Sequence, residues 1–217
     1  MPNTTTNVKT DYYVPPDPKV EIKEKIRAFF NAFGNLITVI ALIAILGVIS
    51  YFFIFPFNVV DGISMQPNFC NGDIYITNKI TDYFNNYSKG DVIAFKYNEK
   101  SNYIKRIVAM EGDTVKIEGG KVYVNGLEIE EPYLPEGRTT EVGGWSQLAE
   151  GMEYIVPKGH YFVLGDNRHF SSDSRDFLAI SPSKNPMNGN VIVIVWPPER
   201  MRIFDKNQGL PENECNK

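Results

Sequence analysis

The chain has 217 residues, a formal net charge of -4, 43% hydrophobic and 22% charged residues. Such a chain fits one globular domain with a substantial core, or one with an elaboration inserted in it. A mildly acidic sequence without a basic cluster argues against nucleic acid as a partner, and two histidines without a nearby cysteine pair argue against structural zinc.

Met1 to Pro18 is rich in Asn, Thr and Pro and is expected to be disordered. From Lys19 to Phe33, Ile22, Ile26, Phe29, Phe30 and Phe33 recur at helical spacing. This is an amphipathic helix, or a plain extension of the helix that follows. Leu36 to Phe55 carries no charge and is long enough to cross a hydrocarbon core. It is too long and too apolar all round for a buried soluble helix. It ends in Tyr51, Phe52, Phe53, Ile54 and Phe55 rather than in a small-x-small site, so an uncleaved anchor fits better than a cleaved leader. Lys19, Lys23, Lys25 and Arg27 precede it, and no Lys or Arg follows until Lys79. The positive-inside rule therefore puts the N-terminus in the cytoplasm and the chain from about Pro56 on the outer face.

Beyond the anchor, DIYIT, DVIAFKY, YIKRIVAM, TVKIEGGKVYVNG, HYFVLGD and NVIVIVW are short runs rich in β-branched and aromatic residues. Hairpins are expected at Gly119-Gly120 and at Asn125-Gly126. The fold class is mostly β and antiparallel. The expected organisation is a tail and juxtamembrane helix (1–35), an anchor (36–55), a β domain (56–118 and 160–205), an inserted cap (119–159) and a polar tail (206–217). Two cysteines are too few for a disulfide framework; a single bridge between Cys70 and Cys215 is possible, but Cys215 lies in the polar tail and two free thiols fit better.

The stretch DGISMQPNF, Asp61 to Phe69, holds a serine with no histidine nearby. A serine hydroxyl needs a base before it is a useful nucleophile. His160 and His169 are the usual type of base, and His169 lies near Asp166 and Asp173. Ser64 nevertheless lacks a Gly-x-Ser-x-Gly elbow, and His169 sits in a polar run that suits a solvated loop. Lys105, in YIKRIVAM, is the other candidate. On a strand it shares a face with Tyr103, Ile107 and Ala109, and burial there would disfavour its charged form. Alternation alone also fits a surface lysine with its stem along apolar neighbours, and fits that better.

Three segments, in order, resemble the signature boxes of bacterial type I signal peptidases. They are GISMQP (Gly62 to Pro67), YIKRIVAMEGD (Tyr103 to Asp113) and GDNRHFSSDSR (Gly165 to Arg175), preceded by one membrane anchor. The resemblance runs from about residue 36 to about 197. It implies a coiled antiparallel β catalytic domain and a membrane-bound serine endopeptidase that removes signal peptides from exported preproteins, after small-x-small sites and without a cofactor or metal. It implies Ser64 as nucleophile and Lys105 as base. Ser171 would orient the lysine amine, and Asp173, Arg175, Arg106 and Asp166 would brace the site. Where some members carry a second serine, this chain has Gly62, so the oxyanion would rest on backbone N–H groups, that of Ser64 first. This glycine, the lysine base and the single anchor resemble the Gram-positive type.

Small residues at alternate positions point one way from an extended peptide, which can pair with a strand edge. Asn58 to Ile63 and Asn102 to Ile104 are the candidate edges; Gly62, Ile63, Met65, Tyr103 and Ile104 are the candidate substrate contacts. Met65 is equally suited to filling the core. Membrane lipid and, indirectly, the secretion machinery are the other expected partners. Three competing readings remain: a peptidase for pilin-like precursors, an inactive tethered β domain that binds, and a self-cleaving repressor. The last lacks the N-terminal DNA-binding module it would need.

Overall fold

The computed structural model describes residues 18–99, 101–144 and 146–216. The disordered tail expected for Met1 to Pro18 lies, Pro18 apart, outside the described residues. The chain divides into two units, Met1–Ser50 and Tyr51–Lys217. The described part of the first is helical throughout, within α1 (Pro18–Ile54). Residues Ile22–Ile54 are long and apolar enough to cross a membrane. The segment from Lys19 to Phe33 is an extension of this helix, not a separate element. Nothing between Lys19 and Ile54 breaks it: there is no proline, and Gly34 and Gly47 are single glycines that a long helix tolerates.

The second unit is built on antiparallel strands, as the alternation of β-branched residues requires. Its larger sheet contains β1 (Phe57–Val59), β2 (Ile74–Asn78), β3 (Val92–Lys96), β4 (Asn102–Met110), β9 (Tyr161–Leu164), β10 (Met187–Trp196) and β11 (Arg202–Ile203). The order is β1-β2-β10-β3-β4-β9, with β11 also paired to β10. A second sheet runs β7-β6-β5-β8, from β5 (Thr114–Glu118), β6 (Lys121–Val124), β7 (Leu127–Glu128) and β8 (Tyr154–Ile155). Both expected hairpins form there. Gly119 and Gly120 (φ 60 and 77) join β5 to β6, and Asn125 and Gly126 (φ 56 and 78) join β6 to β7. Paired positive φ values are what a two-residue hairpin turn needs. Short helices α2 (Lys79–Tyr83) and α3 (Ser174–Phe177) complete the unit.

The large sheet is buried on both faces. Val92, Ala94 and Ile104 join Val60, Met65, Phe69 and Tyr75 on one side. Ile93, Phe95 and Ile107 join Tyr87, Tyr161 and Ile180 on the other. Val108, Ala109, Phe162 and Leu164 pack against the second sheet. Strict alternation along β4 therefore fails past Ile107. A bulge between Ile107 and Ala109 shifts the register against β9, so Met110 packs with the Ile107 cluster.

Cys70 and Cys215 are not free thiols; they form a disulfide with a Cα–Cα distance of 5.3 Å. The polar tail folds back onto the domain instead of trailing from it. Leu210 N–H donates to Asn68 Oδ1 at 2.9 Å and Glu212 pairs with Arg138, which carries Cys215 to Cys70.

Candidate active site

Ser64 lies in the loop between β1 and β2. Apolar anchors fix this loop from below, because Met65 and Phe69 are fully buried in the core. Polar contacts fix it from the side. Val60 N–H donates to Asp73 O at 2.8 Å, Gly62 N–H to Asn71 Oδ1 at 2.8 Å, and Cys70 N–H to Asp73 Oδ2 at 2.8 Å. Gly62 takes φ +102, a conformation that a side chain would strain. Asn167 clamps the backbone at Ser64: its N–H donates to Ser64 O at 3.0 Å and its Nδ2 to Ile63 O at 3.1 Å. The N–H of Ser64 donates to no partner among the described residues.

Lys105 comes from the middle of β4, opposite Ile93 of β3. Its Nζ lies 2.7 Å from Ser64 Oγ and 2.9 Å from Ile104 O, to both of which the protonated amine donates. The Tyr103 ring centroid is 5.0 Å away. Lys105 is 3% exposed. Burial lowers its pKa to about 8, against the opposing pull of Asp173 and Asp166. A surface lysine is thus ruled out by position.

The charged residues of the last box do not form a solvated loop. Arg106 and Asp166 make a two-armed ion pair, Nε–Oδ1 2.8 Å and Nη2–Oδ2 2.6 Å, with no side-chain exposure. The Arg106 guanidinium also stacks on Tyr133, 3.9 Å from its centroid. Asp173 and Arg175 make a second such pair at 2.8 and 2.9 Å, and Asp173 also accepts from Gly165 N–H at 3.0 Å. Ser171 Oγ is buried against Gly165 and has no hydrogen-bond partner among the described residues.

Beside the Ser64 hydroxyl runs a cleft of about 440 Å³. Gly62, Ile63, Tyr103 and Ile104 line it, as do Val59, Phe170 and Ser172. Met65 does not wall it: the side chain is wholly inside the core, which leaves it the core-filling role. The cleft has strand edges on two sides. Among the described residues, β1 pairs only with β2, and β4 pairs with β9 only from Arg106 onward, so Asn102 to Lys105 keep one edge free.

Sequence reasoning passed over several supporting residues. Asn167 and Phe170 lie inside GDNRHFSSDSR but carry no charge or nucleophile to single them out. Arg168, fully buried, pairs with Glu131 and donates from Nε to Gly165 O at 3.0 Å. Asn68 donates from Nδ2 to Asp166 Oδ2 and to Tyr133 O, both at 2.8 Å. Most of their partners lie far off in sequence, so spacing carries little signal for them.

The family model described as "Signal peptidase, peptidase S26" matches residues 33–198. The chain is 33% identical over 185 residues to signal peptidase I P of Bacillus subtilis subsp. natto, covering 83% of this chain and 97% of that one. It is 33% identical over 177 residues to signal peptidase I of Bacillus licheniformis, with 81% and 95% covered. A crystal structure of a signal peptidase I from Enterococcus faecalis matches with a TM-score of 0.38 and 29% identity, covering 48% of this chain and 95% of that one. The chain belongs to the signal peptidase family, peptidase S26, and is a serine peptidase.

Proposed function

We propose that the chain is a membrane-anchored endopeptidase that removes signal peptides from exported preproteins, with Ser64 as nucleophile and Lys105 as general base. The observation that carries this reading is the 2.7 Å contact between Lys105 Nζ and Ser64 Oγ, made by a lysine that is buried and whose pKa is lowered to about 8. Above that pH the amine is neutral and takes the hydroxyl proton as Oγ attacks the scissile carbonyl. The oxyanion that forms is held by the unengaged N–H of Ser64. The ammonium of Lys105 then protonates the leaving amine as the C–N bond breaks. In the second half, Lys105 takes a proton from water, the hydroxide attacks the acyl-Ser64 ester, and Oγ leaves with that proton.

The substrate lies extended between the free edges at β1 and at Asn102 to Ile104. Alternate side chains face the cleft floor, which accounts for a preference for small residues at alternate positions. Asp166 with Arg106 and Asp173 with Arg175 brace the segment that carries Asn167 and Ser171. Ser171 turns its hydroxyl toward the amine during turnover. The uncharged part of this helix, from Leu36 to Ile54, crosses the membrane, with Lys19, Lys23, Lys25 and Arg27 on the cytoplasmic side. The β unit then works on the outer face, next to lipid, on preproteins delivered by the secretion machinery.

The test is cleavage of a model preprotein by the full chain in detergent. Wild type should release the mature protein at a small-x-small site. Ser64→Ala and Lys105→Ala should each lose activity while keeping a β-rich circular dichroism spectrum. A folded Lys105→Ala enzyme with near-normal turnover removes the assigned base.

A further inference from the structure

The segment after β11 is built into the domain. Phe204 N–H donates to Ile192 O at 2.9 Å, and its ring packs 5.5 Å from that of Phe69. Lys206 O accepts from Arg106 Nη1 at 3.2 Å. Gly209 runs so close to Tyr133 that a Cβ there would lie 2.7 Å from Tyr133 O. Leu210 N–H donates to Asn68 Oδ1 at 2.9 Å, and Cys215 closes the strap onto Cys70. These contacts end on groups that hold the site. Arg106 pairs with Asp166, Asn68 donates to Asp166, and Asn167, the next residue, clamps Ser64. None of the strap residues lines the substrate cleft. Cys70 is buried, whereas Cys215 is partly exposed, so a reductant meets the bridge at Cys215.

We propose that the Cys70–Cys215 bridge is a redox modification site: closed, it holds the strap on Arg106 and Asn68 and keeps the dyad aligned; reduced, it frees the strap and lowers turnover. The proposal rests on the reading of Ser64 and Lys105 as the dyad. The reductant is a dithiol. One of its thiolates attacks Cys215 Sγ, the S–S bond breaks, and Cys70 leaves as a thiolate that takes a proton. The second thiol then attacks the mixed disulfide, releasing the Cys215 thiol and the oxidised dithiol, so two electrons pass to the bridge. The groups that face Lys105 are Ser64, the Tyr103 ring, and the carboxylates of Asp166 and Asp173, themselves paired to Arg106 and Arg175. Release of the strap removes Lys206 O from Arg106 and Leu210 N–H from Asn68. Water that enters behind Arg106 relieves the burial of Lys105, and the amine then needs a higher pH to become neutral.

The experiment compares the full chain in detergent, oxidised, reduced with dithiothreitol and reoxidised, on a model preprotein, with alkylation and mass spectrometry to count thiols. Reduction is expected to expose both thiols and to lower kcat about tenfold, the scale of a small misalignment of reacting groups. KM should stay within about twofold, because the cleft is untouched. The acid limb of the rate profile should move to higher pH, which a mere loss of folded enzyme does not cause. Reoxidation should restore all three. The C70S/C215S double variant should behave as the reduced enzyme and ignore dithiothreitol. Asn68→Ala, which leaves the bridge closed but removes the strap's anchor, should lower kcat in the same way, and it serves if the double variant does not fold. Unchanged kcat and pH profile on reduction overturn the proposal. If the oxidised enzyme does not cleave at all, the dyad reading fails, and the bridge is judged by the pH dependence of reductive methylation of Lys105. No change of that dependence on reduction overturns the proposal as well.

Discussion

Ser64 and Gly165 are in backbone contact: a Cβ on Gly165 would lie 2.5 Å from the Ser64 carbonyl oxygen and would also run into the Ser171 hydroxyl. The loop that carries Ser64 and the last box thus meet where only glycine fits. Gly165→Ala should push Ser64 away from Lys105, and a misplacement of about 1 Å costs roughly 10²-fold in rate. The expected result is a fall of that order in kcat/KM with the fold retained, read by preprotein cleavage beside circular dichroism.

The pH dependence follows from the buried amine. Lys105, with a pKa lowered to about 8, is an ammonium below that pH and a free amine, the form the proposed base needs, above it. The cleavage rate should therefore rise with pH through about 8 and level off above. Rate profiles of kcat/KM between mildly acidic and alkaline pH check this. A limb in the carboxylate range would point to a different base.

The Arg106–Asp166 pair is wholly buried. Removing one partner leaves an uncompensated charge inside the domain, which costs about 3–5 kcal/mol. Asp166→Ala should lower stability by that amount, measured by urea unfolding of the full chain in detergent. It should also lower activity at temperatures where the variant is still folded, because Asn68 and Asn167 lose their common support.

Gly62 takes φ +102, with open space where a Cβ would stand. A serine at that position meets no clash, yet its backbone is strained by about 1–3 kcal/mol. Gly62→Ser should therefore lower kcat/KM rather than add a useful oxyanion donor. Comparison with Gly62→Ala separates the cost of the backbone from any gain due to the hydroxyl. Equal losses mean the hydroxyl contributes nothing.

Phe170 is 67% exposed on the cleft wall. Partial burial of this ring by a bound peptide is worth about 1–2 kcal/mol, less than the ~1.5–3 kcal/mol of full side-chain burial. Phe170→Ala should raise KM several-fold with little change in kcat, as steady-state cleavage of a peptide substrate would show.

Much of this molecule could be read along the chain, because the relevant signals are local. The helix follows from an uninterrupted apolar run, the hairpins from Gly-Gly and Asn-Gly, and the strands from β-branched alternation. Ser64 and Lys105 were legible as candidates because each sits in a compact motif. Other features needed long-range contacts. Alternation placed Lys105 on a face but left its burial open; the pairing of β4 with β3, and the loop carrying Ser64, decided it. Met65 stands beside Ser64 in sequence yet points into the core. Cys70 and Cys215 look like isolated thiols until the tail folds back.

By itself, then, the sequence determined the class of fold, the apolar helix, and the pair of residue types able to perform serine chemistry without histidine. Only the tertiary structure decided which charges are buried and paired, how Asn167 and Gly165 hold Ser64, and that Cys70 and Cys215 meet. The physical reason is one of range. Backbone propensity and side-chain periodicity act over a few residues and are written locally. Burial, desolvation and the meeting of partners such as Asn68 with Asp166 or Cys70 with Cys215 exist only once distant segments have packed together.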